Sequence, residues 1–446
     1  MNGEKGTGNE YNSLTRRRFC KGALLGLGGL TLGEYLTGRP AFAEGAGPLP
    51  APIITGNSVE ICMNSRVCRH SGLTGTATDQ QIANVLWAAG RAPVVGNNRT
   101  IYLRTRNGSY IYHPEEHALE YFSGTTVSNA FRLNYDRELD FDAGVSYVLA
   151  LWASVSLWTG TASQVAHCPQ MSDLNFGVAS VTGLTSQLVA LSSDGTLPNP
   201  TTISTNHFEE VVADLRLRSE FRADLDLTPQ RLSQILWGGY GCTPHMTANN
   251  RAGLTIPSWV ADYFLTNRIY VIDSRVNRFS NRTGSNLATR NHRLELVQGA
   301  DVRDALRQAL PDLPVAPCYI VLCLTQTGLD TWYHRLEVGM AAGGMLLESA
   351  ALGLACDFKA ALSSAEQTAV KQIAQLPSGD YPHAIVALGH RPADLNGDGL
   401  IDGDDLDSLD DCMSGPDIDA GPDCLPADRN HDADVDLDDF SNLQRD

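Results

Sequence analysis

One block of this chain is written twice, in the same order, and that repetition limits what it can fold into. Thr78-Asp-Gln-Gln-Ile-Ala-Asn-Val-Leu-Trp87 is answered by Thr228-Pro-Gln-Arg-Leu-Ser-Gln-Ile-Leu-Trp237. The apolar residues fall at helical spacing in both: Ile82, Val85, Leu86 and Ala89, then Leu232, Ile235, Leu236 and Gly239. Each block therefore predicts an amphipathic helix with one stripe facing a core. Thr78 and Thr228 stand at N-cap positions, and Pro229 occupies the first helical position, where a missing N–H costs nothing. Ile101-Tyr-Leu103 and Arg268-Ile-Tyr-Val-Ile272 then read as strands, and His117-Ala-Leu-Glu120 is answered by His292-Arg-Leu-Glu295. Late in each copy, Thr182-Gly-Leu184 and Leu352-Gly-Leu354 are expected to end small-residue helices, and the second copy continues to a strand at Ala384-Ile-Val-Ala-Leu-Gly389. Matched blocks in a fixed order imply two like units of mixed helix and strand.

Charge is concentrated at the C-terminal end. From Asp394 onward there are eighteen Asp and no Glu against Arg429 and Arg445, so the tail carries nearly all of the net charge of −18. That distribution excludes the basic face that nucleic acid requires. Within the tail, Asp394, Asn396, Asp398, Asp402 and Asp405 fall at positions 1, 3, 5, 9 and 12 of a twelve-residue loop. Leu400 offers its carbonyl at position 7, Gly399 allows the sharp turn at 6, and Ile401 is the apolar residue at 8. Calcium takes six to eight hard oxygens at about 2.3–2.6 Å, and this spacing wraps them around one point. A second loop follows with Asp428, Asn430, Asp432, Asp434, Asp436 and Asp439, and Val435 at position 8. There Ala433 stands where the first loop has glycine, which predicts a harder turn and weaker binding. Asp-Leu-Asn-Gly-Asp-Gly399 with a Cys-containing Gly-Pro spacer, and loops closed by Asp rather than Glu, resemble dockerin-type EF-hand modules. The resemblance implies a small helical calcium module over 394–446 that either docks a partner protein or caps the fold.

The other end reads as an export signal. Thr15-Arg16-Arg17-Arg18-Phe19-Cys20-Lys21 matches the twin-arginine pattern, a short Gly-rich apolar run follows, and Ala41-Phe42-Ala43 offers a cleavage site. Residues 1–43 are thus expected to leave, and the mature chain to be periplasmic or extracellular without a membrane span, which needs about 20 apolar residues. Twin-arginine export carries folded proteins, which raises the expectation of a bound cofactor. Of the ten cysteines, Cys62, Cys68, Cys168, Cys242, Cys318, Cys323 and Cys356 show no metal-type spacing. Cys318 and Cys356 lie in apolar runs and are expected to be buried thiols. Cys412 and Cys424 flank the segment between the calcium loops; an oxidising compartment permits a disulfide there, and two free thiols are the other reading.

Further motifs carry a second resemblance. Leu232-Ser-Gln-Ile-Leu-Trp-Gly-Gly-Tyr-Gly241, Ile256-Pro-Ser258, Tyr270-Val-Ile272, Met345 to Leu354 and Val386-Ala-Leu-Gly-His-Arg391 resemble the nitroreductase superfamily, closest to its SagB-type dehydrogenases. Gly108-Ser-Tyr110-Ile-Tyr112-His-Pro114-Glu-Glu-His117 in the first copy is similar to that branch too. The resemblance implies an α/β (α+β three-layer) fold in two copies, 60–205 and 206–393, forming an intrachain pseudo-dimer. It also implies flavin mononucleotide (FMN) at the interface of the copies. Arg216, Arg218 and Ser219 would then hold the phosphate, with Arg391 as a second clamp, because guanidinium forks match phosphate oxygens. Pro257 and Ser258 would approach the flavin ring, with Arg251 just before them. In the first copy Arg66 and Arg69 stand at the phosphate position, and Asn98-Arg99-Thr100 where Pro-Ser would lie. His117 and His292 are expected to pack or to bond a helix end, and no catalytic residue is identified.

The implied activity is hydride transfer to or from a small-molecule substrate, or oxidation of a heterocycle as in azoline dehydrogenases. The other reading is a flavin-free binding or scaffold protein attached through its calcium module. Leu217 and Phe221, which interrupt the phosphate motif, and Gly343-Gly344, in place of a Gln-Asn pair, favour the second reading. The twin-arginine signal and Pro257-Ser258 favour the first.

Overall fold

The structure, a computed structural model, describes residues 57–66, 79–105, 107–126, 131–156, 164–165, 173–176, 178–179, 205–247, 249–258, 262–416, 418–421, 424–429 and 432–443. The signal segment, Thr78, Cys68, Cys168, Arg69, Thr182-Gly-Leu184 and Asn430 lie outside the described residues. All described residues belong to one compact unit.

The first half opens with helices α1 (Val59–Ser65) and α2 (Asp79–Arg91), followed by strands β1 (Arg99–Thr105), β2 (Gly108–His113), β3 (Ala118–Ser123) and β4 (Phe131–Arg137). Helix α3 (Asp140–Ser156) comes next, then short strands β5 (Gln164–Val165), β6 (Asp173–Phe176) and β7 (Val178–Ala179). The second half repeats the plan with α4 (Phe208–Ala213) and α5 (Pro229–Tyr240), then a small hairpin of β8 (Cys242–Met246) and β9 (Ala252–Leu254). It continues with β10 (Ile269–Ile272), β11 (Val276–Thr283), β12 (Thr289–Gln298), α6 (Arg303–Ala309), β13 (Cys318–Leu324), α7 (Gln326–Leu329) and α8 (Trp332–Ala351). Strand β14 (Leu354–Ala360), α9 (Ser364–Ile373) and β15 (Tyr381–His390) complete it, and α10 (Gly403–Cys412) and α11 (Leu437–Leu443) form the tail.

The repeat in the sequence is a repeat of topology. The first sheet runs β3-β2-β1-β4-β6 and the second β12-β11-β10-β13-β15-β14, so four strands in each follow the same order. The corresponding pairings are antiparallel in both halves. Helix α5 starts where its cap signals put it: the Thr228 hydroxyl accepts from the Arg231 N–H, and Pro229 opens the first turn. Helix α3 follows β4 in the first half as α8 follows β13 in the second, and buried residues run from Phe141 to Ser156 in α3 and from Leu336 to Ser349 in α8. They pack against each other at the centre of the molecule, and Arg335 at the start of α8 pairs with Asp140 at the start of α3 at 2.7 Å.

One apolar core spans both halves, from Val59 and Leu86 through Trp152 to Leu236, Met345 and Val386. A second lies on the opposite face of the second sheet beneath α6 and α9, so three layers form there. Strand β13, Cys-Tyr-Ile-Val-Leu-Cys-Leu, is buried at every position, as expected of a central strand covered on both faces. Cys62, Cys318 and Cys356 are buried free thiols. The tail has its own small core of Leu409, Ala427 and Val435, closed by a Cys412–Cys424 disulfide. Among the described residues no helix is long and apolar enough to cross a membrane.

Candidate functional site

Segment 214–222 runs beside the ends of β14 and β15: the Arg218 N–H donates to the Cys356 carbonyl at 2.9 Å and the Arg222 N–H to that of His390 at 3.0 Å. This brings Arg216, Arg218 and Ser219 to Arg391, the residue that follows β15. Together with Leu217, Glu220 and Pro392 they line a pocket of about 240 Å³. Arg218 also pairs with Asp214 at 3.0 Å. Arg391 gives Nε to the Gly353 carbonyl at 2.7 Å and Nη2 to that of Gly399 at 3.3 Å. Those backbone bonds fix its plane and leave its other N–H donors for a ligand. The donor set suits a phosphate group, and the volume suits that group rather than a whole flavin.

Arg251, Pro257 and Ser258 do not line this pocket. Arg251 pairs with Asp262 at 3.0 Å and faces a separate cavity of about 590 Å³ with Phe264, Arg268, Arg278 and His334. Pro257 and Ser258 are buried. The Ser258 hydroxyl donates to Glu337 on α8 and accepts from the Tyr263 N–H at 2.7 Å. Glu337 is wholly buried and also accepts from the Tyr240 hydroxyl at 2.6 Å. Burial pushes its carboxyl up to about 7 against the opposing pull of those hydrogen bonds. Nothing local in the sequence marks Glu337, because its partners come from three separate segments.

The two halves cross at this turn. Arg66, from the first copy, is buried and donates to the carbonyls of Leu254 (2.6 Å), Thr255 (2.8 Å) and Ile256 (3.1 Å), the residues leading into Pro257. An arginine read as a phosphate ligand thus carries internal backbone bonds. Nearby His245 is pushed down to about 3 by burial, with Arg66 and Arg290 adding to the effect. His292 lies between Ser233 on α5, bonded at 2.8 Å, and the Phe279 ring, and His117 bonds the Tyr112 hydroxyl at 2.8 Å. Both histidines therefore pack and bond within the fold, His292 against the body of a helix rather than its end.

The first acidic loop follows β15 directly. Asp394 has no exposed surface; its Oδ2 accepts from the Gly399 N–H at 3.0 Å and meets His390 Nδ1 at 2.7 Å, while its Oδ1 has no hydrogen-bond partner. Burial works to raise its carboxyl, but the bonds from His390 and Gly399 and the nearby Arg231 bring it below the usual carboxylate range. Asp405 closes the loop by accepting from the N–H groups of Leu395 (2.7 Å), Asn396 (3.2 Å) and Asp402 (2.9 Å). Asn396 and Asp398 accept from Asp398 and Leu400 at 2.8 Å each. An unpaired buried carboxylate oxygen, in a loop that carries further carboxylate and amide oxygens, is what a bound cation would satisfy.

The second loop repeats the pattern. Asp428 accepts from Asp432 (3.2 Å) and Ala433 (3.0 Å), and Asp439 from Arg429 (2.6 Å) and Asp436 (2.8 Å). Carboxylate oxygens of Asp434, Asp436 and Asp439 lie within 4.8 Å of one another. Ala433 takes φ +80°, the left-handed turn that its position demands.

No family model and no curated protein sequence matches the chain. Among solved structures it is similar to a putative nitroreductase from Anabaena variabilis, with 10% identity and a TM-score of 0.49 over 79% of this chain and 95% of that one. A putative nitroreductase from Ralstonia eutropha is 21% identical, with a TM-score of 0.35 over 47% of this chain and 96% of that one. An FMN-dependent nitroreductase from Clostridium difficile is 15% identical, with a TM-score of 0.28 over 41% and 86%. At these identities and scores the likenesses assign no family, and the chain stands as a mixed helix-and-sheet protein built from two halves of like strand order.

Proposed function

We propose that the protein is an exported FMN-dependent oxidoreductase of the nitroreductase and SagB-type dehydrogenase kind, with calcium bound in its tail. The reading rests on the pocket in which Arg216, Arg218 and Ser219 meet Arg391, brought together from opposite ends of the second copy. Arg216 and Arg218 would take phosphate oxygens, with Ser219 donating its hydroxyl and Arg391 held in place by two backbone carbonyls. Bound FMN would supply the hydride-accepting ring. The chain's own part is to bind the phosphate and orient the cofactor toward a small-molecule substrate.

Calcium fits both loops on the donor chemistry described above, with Asp394, Asn396, Asp398, Asp402, Asp405 and the Leu400 carbonyl in the first. In the second, Asp428, Asp432, Asp434, Asp436 and Asp439 would serve with Asn430. Export through the twin-arginine route, with loss of residues 1–43, accords with this reading, as does a Cys412–Cys424 bond.

The second reading, a flavin-free binding or scaffold protein, is favoured by a specific observation. Arg66 and Ser258 are committed to backbone carbonyls and to Glu337 inside the fold. A titration separates the two. FMN is added to the mature protein and to Arg216→Ala and Arg218→Ala variants, and flavin fluorescence is followed. A lost charge-assisted bond of about 1.5–3 kcal/mol would weaken FMN by tenfold or more in each variant. A parent protein that takes up no FMN leaves the scaffold reading.

A further inference from the structure

The first acidic loop does not hang from the body as a separate module; it is built into the wall of the phosphate pocket. Arg391 touches both, since it lines the pocket and donates to the Gly399 carbonyl at loop position 6. Arg231 on α5 donates through Nη1 to Nε2 of His390 at 2.9 Å and to the Gly397 carbonyl at 3.0 Å. The same Nη1 lies 3.2 Å from Nδ1 of His390, which meets Asp394 Oδ2 at 2.7 Å, so the ring is wedged between Arg231 and the loop. Arg222 binds the carbonyls of Asp394 (3.0 Å) and Leu395 (2.8 Å), while its own N–H bonds His390. The loop is also pressed onto the turn after α8: a Cβ on Gly353 would fall 1.6 Å from the Gly399 carbonyl oxygen.

These contacts make loop and pocket one mechanical element. Without a cation, Asp394 Oδ1 stays buried and unpaired inside the loop, which costs free energy. Relief requires the loop to open, and opening removes Gly399 from Arg391 and Asp394 from Arg222. Arg391 then loses one of the two bonds that hold its plane.

We propose that calcium in the first loop positions Arg391 and segment 214–222, so that the adjoining pocket holds a phosphate-bearing ligand tightly only when the loop is filled. Arg231, His390 and Arg222 act as positioning residues. The identity of that ligand as FMN rests on the functional reading above; the coupling itself does not. Linkage makes the effect reciprocal, with FMN and calcium each tightening the other by the same factor.

The full mature chain tests this by hydrogen exchange and by FMN titration, each in excess calcium and after chelation. Calcium is expected to protect amides of 394–405 and also those of 216–222, and to tighten FMN by roughly tenfold, within the usual range of coupling. Riboflavin, which lacks the phosphate, is expected to show no such gain. Asp398→Ala, an exposed ligand whose loss leaves the body intact, should abolish both effects. Arg231→Met should keep protection within the loop and lose it in 216–222. Protection confined to 394–405, or equal FMN affinity with and without calcium, overturns the proposal. If no FMN binds under any condition while 216–222 still responds to calcium, the coupling stands and the flavin reading falls.

Discussion

Gly144 on α3 and Gly339 on α8 stand backbone to backbone where the two central helices cross. A Cβ on Gly144 would fall 2.1 Å from the Leu336 carbonyl oxygen, and one on Gly339 2.0 Å from that of Phe141. The two halves are therefore held at a separation that no side chain permits. Gly144→Ala and Gly339→Ala should each lower unfolding free energy by about 2 kcal/mol or more, because overpacking a core typically costs 1–3 kcal/mol. Chemical denaturation checks this. A variant within 0.5 kcal/mol of the parent, roughly the spread of neutral surface changes, would show that the helices can part at little cost.

Glu337, also on α8, makes its contact with Ser258 and Tyr240 sensitive to pH. Its buried carboxyl is pushed up to about 7, whereas a free glutamate titrates near about 4.3. The unfolded chain therefore releases this proton first, and between those two values the folded chain holds the extra proton. Stability contributed at this site falls as pH rises through that window, by up to roughly 4 kcal/mol. Glu337→Gln keeps an acceptor for Tyr240 and removes the titration. The difference in stability between variant and parent should grow in favour of the variant from about pH 4.5 to 7. A difference independent of pH would contradict the assignment.

The second acidic loop carries a strain that one substitution relieves. Ala433 is held at φ +80°, a region that costs a residue with a Cβ about 1–2 kcal/mol and glycine almost nothing. Ala433→Gly should raise the calcium affinity of that loop by severalfold and leave the first loop unchanged. Calorimetric calcium titration reads both sites. A weaker second site in the variant would mean that the alanine methyl does something other than strain the turn.

What could be read from the chain was mostly local. The cap at Thr228, the first-turn Pro229, the stripe of Leu232, Ile235 and Leu236, and the loop spacing from Asp394 to Asp405 all depend on neighbours within a turn or two. The strained turn at Ala433 was legible for the same reason. The pairing of the two central helices was not. The crossing is set by Gly144 and Gly339 within the helices, and nothing near either glycine in the chain shows that the two meet. Nothing local marks Arg231 on α5, because its bonds to His390 and Gly397 exist only once β15 is laid down. The expected single flavin site likewise divides: four of its residues share a pocket, while Arg251, Pro257 and Ser258 belong elsewhere because Glu337 and Asp262 engage Ser258 and Arg251.

The most direct test is a crystal structure of the mature protein grown with FMN and calcium. The account predicts the FMN phosphate within hydrogen-bond distance of Arg216, Arg218 and Ser219, beside an Arg391 still bonded to Gly353 and Gly399. A structure in which those side chains face only solvent or one another, with no flavin bound to the chain, would contradict it.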